Sequence, residues 1–240
     1  MSNKSHRSTT PSWTRNGKQN PSEKSARDRK LWTIFGVAVL ALLIAVVVIS
    51  AVAGGSDDSN SGVDKTKIEE TRAVDVMAGE SLPYFDDTAS VDEAIGLTAP
   101  QVSGSTLDGG LISTVPENGN FKMIVFVAHW CPHCQREVPR LVNWAAGGEV
   151  PDNLDVMAVS TAVDETKGNY PPSEWLSDEG WKFPIMADDS AGTAATAFGL
   201  TSFPYFVVLS PEGEVLARNS GEIEMSALNA MLSSVMGSTN

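Results

Sequence analysis

Apolar and polar positions divide this 240-residue chain into four stretches of different character. Residues 1–30 are polar, rich in Ser, Lys and Arg, and hold no apolar period, which predicts a disordered tail. Residues 31–53 run without a charge, chiefly through Leu, Ile, Val, Ala and Phe. Residues 54–91 read as an acidic spacer, flexible at the Gly/Ser/Asp run 54–62 and with a short helix or strand about 68–77. From residue 92 the pattern becomes regular. Strands at 101–106 and 111–114 flank the hairpin signal Asp108-Gly109. The continuous apolar run 121–128 predicts a strand buried on both faces. A helix should start at Pro132, with Val138, Leu141, Val142 and Ala145 on its apolar face, a kink at Pro139 and an end at Gly147-Gly148. A strand at 154–160, a loop with Pro171-Pro172 and a short helix at 173–179 closed by Gly180 come next. Asp189 or Ser190 is placed to cap a helix that Gly199 ends. Strands at 205–209 and 214–218 then turn across Pro211-Glu212-Gly213, before a last helix from 224 with Met225, Leu228, Leu232 and Val235 on one side. Strands alternating with helices predict an α/β sheet covered on both faces.

Charge changes how the uncharged run is read. Residues 1–30 carry eight Lys/Arg against Glu23 and Asp28, and the whole chain stands at −13, so residues 31–240 hold −19. Such a body repels nucleic acid and anionic headgroups, which argues against a nucleic-acid partner and makes the basic head a topology signal. In a helix, residues 31–53 would span about 35 Å, enough to cross a hydrocarbon core with some tilt. Lys and Arg precede the run and acids follow it, so the positive-inside rule puts the tail in the cytoplasm and the body outside. The expectation is a single-pass signal-anchor helix in the cytoplasmic membrane. A cleaved signal peptide competes, because Ala51-Val52-Ala53 fits an A-x-A site. An h-region of about 7–15 residues is shorter than this run, which favours the anchor. Either way the body is extracytoplasmic.

The chemistry is concentrated in Trp130-Cys131-Pro132-His133-Cys134, which holds both cysteines of the chain. Two cysteines separated by two residues at the start of a helix lie within disulfide reach. Cys131 sits where unpaired N–H groups and the positive dipole end favour a thiolate, so it is the candidate nucleophile. Cys134, one turn deeper, is the candidate resolving thiol. Pro132 suits the first turn because its missing N–H breaks no bond there. His133 is expected to donate a hydrogen bond or positive charge to the Cys131 sulfur. Stabilising the thiolate stabilises the reduced form: three pKa units would be about 4 kcal/mol, or on the order of 90 mV for a two-electron couple.

Other readings of the same residues are weaker. A structural bridge closing a four-residue loop adds little chain-entropy stabilisation. A zinc site needs four ligands, and only His129 and the distant His6 remain among histidines. Covalent haem attachment needs His directly after the second Cys, where Gln135 stands. A copper-binding or metal-delivery module using Cys131, Cys134 and His133 or His129 is the alternative from another class, and a redox-inactive tethered binding domain is a third. A redox-active Cys131–Cys134 pair, with no cofactor, is favoured.

Trp-Cys-x-x-Cys after a buried strand, with Pro139 eight residues past the first Cys, resembles the thioredoxin superfamily. The wider pattern is similar to its membrane-anchored, extracytoplasmic TlpA-like (redoxin) branch. It runs through Ala99-Pro100, the Asp108-Gly109 hairpin, Phe183-Pro184-Ile185, Asp188, Phe198-Gly199-Leu200, Phe203-Pro204 and Glu212-Gly213-Glu214-Val215, covering about residues 92–237. The resemblance implies a thioredoxin-like fold, a central mixed sheet flanked by helices with an N-terminal hairpin extension, preceded here by one transmembrane helix. It implies that Pro204 is a cis-proline packed against the active-site disulfide, leaving the backbone of Phe203 to pair with a substrate strand. Trp130 would cover the disulfide and share the docking surface with Phe203.

This sequence departs from that branch in three places. Pro132-His133 is the order of DsbA-like oxidases. Val125 stands where thioredoxins often bury an acid, and Phe203 where TlpA-like proteins commonly have Thr. Among the remaining residues, His129 reads as a rim residue, and Trp144, Trp175 and Trp181 as core packing. Asp164, Glu165 and Glu174 read as solvated acids that are the candidates for an acid near Cys134. The expected function is thiol–disulfide exchange with protein thiols and disulfides, served by a membrane or extracytoplasmic redox partner. The branch argues for a reductase; Pro132-His133 and Val125 argue for an oxidant.

Overall fold

The computed structural model describes residues 69–237. The expected tail at 1–30 and transmembrane helix at 31–53 lie outside the described residues, as does the spacer up to residue 68. Among the described residues no helix is long and apolar enough to cross a membrane. The elements are β1 (Asp75–Ala78), β2 (Gln101–Thr106), β3 (Leu111–Ser113), β4 (Phe121–Val127), α1 (Pro132–Ala146), β5 (Leu154–Ser160), α2 (Pro172–Asp178), β6 (Ile185–Ala187), α3 (Thr193–Ala197), β7 (Tyr205–Leu209), β8 (Val215–Ser220) and α4 (Met225–Gly237).

All seven residues of β4 are buried, and their side chains alternate between two cores. Met123, Val125 and Val127 join Val138, Leu141 and Trp144 of α1 and Leu228 and Leu232 of α4. Ile124 and Phe126 point the other way, to Ala194 and Phe198 around α3. A strand with period-two alternation between two apolar layers has to lie mid-sheet, and β4 does. It pairs in parallel with β5, Phe121 opposite Leu154, and antiparallel with β7, Lys122 opposite Leu209. The strand order is β1-β2-β6-β5-β4-β7-β8, with β3 paired to β2. The β2–β3 hairpin extends the sheet on the β6 side. This is the thioredoxin-like α/β fold, a mixed sheet flanked by helices.

The folded body begins earlier than residue 92, the boundary expected from sequence. β1 pairs antiparallel with β2, Asp75 opposite Ser103, and Val74 and Leu82 are buried. The carboxylate of Glu70 accepts the Ser173 N–H at 2.9 Å, at the start of α2, and also the Ser173 hydroxyl. From β8 the buried Arg218 guanidinium donates to the Pro83 carbonyl at 2.8 Å, the Tyr205 hydroxyl at 3.1 Å and both oxygens of Asp92. Gly199 lets this segment dock: its φ is +71°, and a Cβ there would collide with the Pro83 carbonyl oxygen.

Two local expectations shift. The five-residue α3 starts after Gly192 at φ +70°, later than the caps at 189 or 190 suggested. Its orphan N–H groups are met by two carboxylates, Asp189 on Thr193 at 3.0 Å and Asp188 on Ala194 and Ala195 at 2.9 and 3.2 Å. The three-residue strand β6, after Pro184, was not expected as a strand.

Candidate active site

β4 runs out at Val127, and the chain turns through Ala128, His129 and Trp130 with the Cys131 N–H donating to the Ala128 carbonyl at 3.0 Å. Cys131 is the extended N-cap residue of α1, φ −76° and ψ 119°, and Pro132 takes the first helical position. The helix continues through Pro139 to Ala146. Both cysteines are free thiols: Cys131 keeps 6% of its surface exposed and Cys134 none.

Around Cys131 the structure assembles residues from distant parts of the chain. The Cys131 thiol points at the Phe203 carbonyl, 4.0 Å away, and the Phe203–Pro204 peptide bond is cis. Trp130 donates its indole N–H to the Ala162 carbonyl at 2.7 Å and meets the Phe203 ring edge-on at 6.1 Å between centroids. Trp130, Cys131 and the Phe203–Pro204 segment are thus brought together, with Cys134 buried one turn into α1.

Burial pushes the Cys134 thiol well above its ordinary value, and the Cys131 sulfur and, more weakly, the negative charge of Glu137 push the same way. It keeps its proton until something takes it. Glu137 was not singled out from the sequence, yet its side chain has no exposed surface. Burial raises its pKa to about 7; Arg140, at 3.1 Å, and the Ile223 N–H pull in the opposite direction. Val125 is apolar and buried, so the acid near the buried cysteine comes from the helix rather than from β4. Glu137 occupies this position rather than Asp164, Glu165 or Glu174. Asp164 is held by Thr166, and Glu165 by Tyr170.

Two histidine expectations are corrected. His133 makes its contacts away from Cys131. Its Nδ1 lies 2.6 Å from Glu222 Oε1, in the turn between β8 and α4. Glu222 is a carboxylate with two stronger claims on its charge than bulk water, and the hydrogen bonds of Arg136 and His133 hold its pKa down to about 2. His129 is buried rather than at the rim. Its Nδ1 lies 2.8 Å from the Gly168 carbonyl and its Nε2 accepts the Asp164 N–H at 3.2 Å. That imidazole braces the 162–168 loop, which with Trp130 lines a groove. Trp144, Trp175 and Trp181 are buried, as expected. Among the described residues no three His, Cys, Asp or Glu side chains are grouped as a metal site requires.

Residues 95–218, spanning β2 to β8, match the AhpC/TSA family. The chain belongs to the AhpC/TSA family. Within this redoxin family it is similar to proteins named for thiol–disulfide chemistry. It is 29% identical over 149 residues to the thiol:disulfide interchange protein DsbE homolog of Paracoccus denitrificans (strain Pd 1222), across 61% of this chain and 78% of that one. It is 22% identical over 134 residues to sporulation thiol-disulfide oxidoreductase A of Bacillus subtilis (strain 168), across 56% and 79%. A solved Chlorobium tepidum structure, described as a thiol:disulfide interchange protein DsbE, superposes with a TM-score of 0.50 at 21% identity. That likeness covers 60% of this chain and 98% of the other and bears on the fold. The AhpC/TSA match ends before α4, so the turn carrying Glu222 lies outside it.

Proposed function

We propose that this thiol–disulfide oxidoreductase is tethered to the cytoplasmic membrane by residues 31–53 and reduces protein disulfides outside it through Cys131 and Cys134. The observation that carries the reading is the pair itself. A slightly exposed thiol at a helix N-terminus faces the Phe203 carbonyl, and a fully buried thiol stands one turn below it. The uncharged run between a basic head and an acidic body supports the tether and the address.

In the first step the Cys131 thiolate attacks one sulfur of a substrate disulfide. A Cys131–substrate bond forms, the substrate bond breaks, and the leaving thiolate takes a proton from solvent. Cys134 then gives its proton to the ionised form of Glu137 and attacks the Cys131 sulfur. The internal disulfide forms, the second substrate thiol leaves, and two electrons have passed from protein to substrate. A membrane or extracytoplasmic thiol partner returns the pair to its reduced state. The reducing direction is supported by His133 Nδ1 being bonded to Glu222 and by a buried carboxylate, Glu137, three residues along α1 from the thiol that must lose its proton. Among the described residues no third His, Cys, Asp or Glu is grouped with the pair as a metal site requires, which disfavours the metal-delivery alternative.

Trapping tests the reading. A Cys134→Ser chain should accumulate mixed disulfides with exported proteins, and a Cys131→Ser chain should give none and lose at least a hundredfold of insulin-reductase rate. Trapping through Cys134 in the Cys131→Ser chain, or wild-type rates in it, would sink the mechanism. Accessibility of the body to added protease in spheroplasts, with the tail protected, checks the topology.

A further inference from the structure

The Cys-Pro-His-Cys sequence places a histidine two residues from the nucleophile, but the turn after β8 takes that histidine. Glu222 Oε1 stands 2.6 Å from His133 Nδ1, and an approach that short between a carboxylate and an imidazole nitrogen needs the proton on the nitrogen. The same carboxylate accepts Arg136 through Nη2 at 2.5 Å and through Nε at 3.1 and 3.2 Å. Arg136 Nη2 also lies 2.8 Å from His133 Nδ1. A nitrogen donating to Glu222 has no lone pair free for Arg136, so Glu222 is the hub and the two bases are its spokes. The turn is itself fastened to α1: Arg140 donates to the Ile223 carbonyl at 3.0 Å and pairs with Glu224 at 3.1 Å, and the Ile223 N–H donates to Glu137 at 3.4 Å. Glu222 therefore has a fixed position rather than being one rotamer of a free surface side chain; its own side chain is 26% exposed against 59% for His133.

We propose that Glu222 is a positioning residue for the dithiol: it keeps the His133 imidazole turned to the β8–α4 turn and away from the Cys131 sulfur, and so makes the pair less oxidising than its Cys-Pro-His-Cys sequence would give. The physical reason is competition for one donor. A charge-assisted bond to a carboxylate is a strong one, and the Nδ1–H that makes it cannot be given to the sulfur at the same time. While the His133 Nδ1–H is bonded to Glu222, the Cys131 thiolate lacks that donor and the reduced state lacks that stabilisation. The inference rests on the redox reading of Cys131 and Cys134 and explains how a reductase can carry an oxidase-like dipeptide.

The test is a double-mutant cycle read as an equilibrium with glutathione. Full-length protein is equilibrated across ratios of reduced to oxidised glutathione at pH 7, quenched with acid and labelled with a maleimide. Both cysteines of the chain are in the pair, so the label reports it alone. Glu222→Ala, and the near-isosteric Glu222→Gln as a milder change that preserves the turn, are each made with His133 present and in a His133→Ala background. With His133 present, Glu222→Ala should shift the equilibrium at least tenfold toward the reduced protein, about 30 mV for a two-electron couple. In the His133→Ala background the same change should move it less than threefold. An equal shift in both backgrounds would mean that Glu222 acts through its own charge and overturns the proposal. No shift from either substitution in either background overturns it as well. Failure of the wild-type pair to equilibrate with glutathione is a separate outcome, and it removes the redox reading along with the inference.

Discussion

With a folded pKa of about 7, Glu137 is half ionised near neutral pH, and its two forms differ in consequence. Its ordinary value of 4.5 belongs to the unfolded chain, so the folded protein binds this proton more tightly. The stability it gives is complete below about pH 4.5 and is lost as pH rises through 7, at most about 3 kcal/mol. Urea midpoints should therefore fall between pH 5 and pH 8, and Glu137→Gln should flatten that slope. A Glu137→Gln protein that keeps the full slope would place the titration elsewhere. The same variant should lengthen the life of the mixed disulfide at least tenfold, because Cys134 has lost its proton acceptor. Neither Glu137 nor Glu222 was legible from sequence. A charged residue three positions past Cys134 reads as solvated surface, and its burial exists only because the 222–224 turn, some 85 residues on, closes over it. Cys131, Cys134 and Pro132 were legible because their spacing is local and already specifies a helix start.

Among the elements, Gly199 makes the sharpest claim. At φ +71° and against the Pro83 carbonyl, Gly199→Ala combines an unfavourable backbone with a collision that cannot relax through a side chain. It should destabilise the domain by about 2–4 kcal/mol in denaturant unfolding; a loss under 0.5 kcal/mol would show that the 82–85 segment can lift away at little cost. The strands read from sequence were those buried on both faces and those flanking a turn signal, β2 and β3 about Asp108-Gly109 and β8 after Pro211-Glu212-Gly213. β4, β5 and β7 are runs of apolar residues because each contributes to two cores. β1 overlaps the stretch 68–77 that read only as a short helix or strand, because all four of its residues are exposed at the sheet edge and only its ladder with β2 makes it a strand. β6 is three residues long, too short for any period to register.

At the scale of the whole molecule the question is where the domain starts. Removing residues 69–92 would uncover the sites of Val74 and Leu82, about 3–6 kcal/mol of apolar burial. It would also leave the Arg218 guanidinium buried without Asp92, about 3–5 kcal/mol more. Together these rival the total stability of an ordinary domain. A chain begun at residue 93 should therefore give no cooperative thermal transition, while one begun at residue 69 should melt within a few degrees of the full chain. A cooperative melt from residue 93 would restore the boundary that the sequence pattern suggested. That pattern stopped at 92 because the residues before it are mostly polar, and two buried aliphatics spaced eight apart carry no period.

The unequal exposure of the two sulfurs has a further consequence for timing. A partner can meet Cys131, while Cys134, with no surface, can meet only Cys131. Capture is then a collision whose frequency scales with partner concentration, whereas release is an internal clock. Adding more partner shortens the wait before capture and leaves the holding time unchanged, so turnover of any one substrate should reach a plateau set by the internal step, at a height that follows the acidity of the thiol expelled.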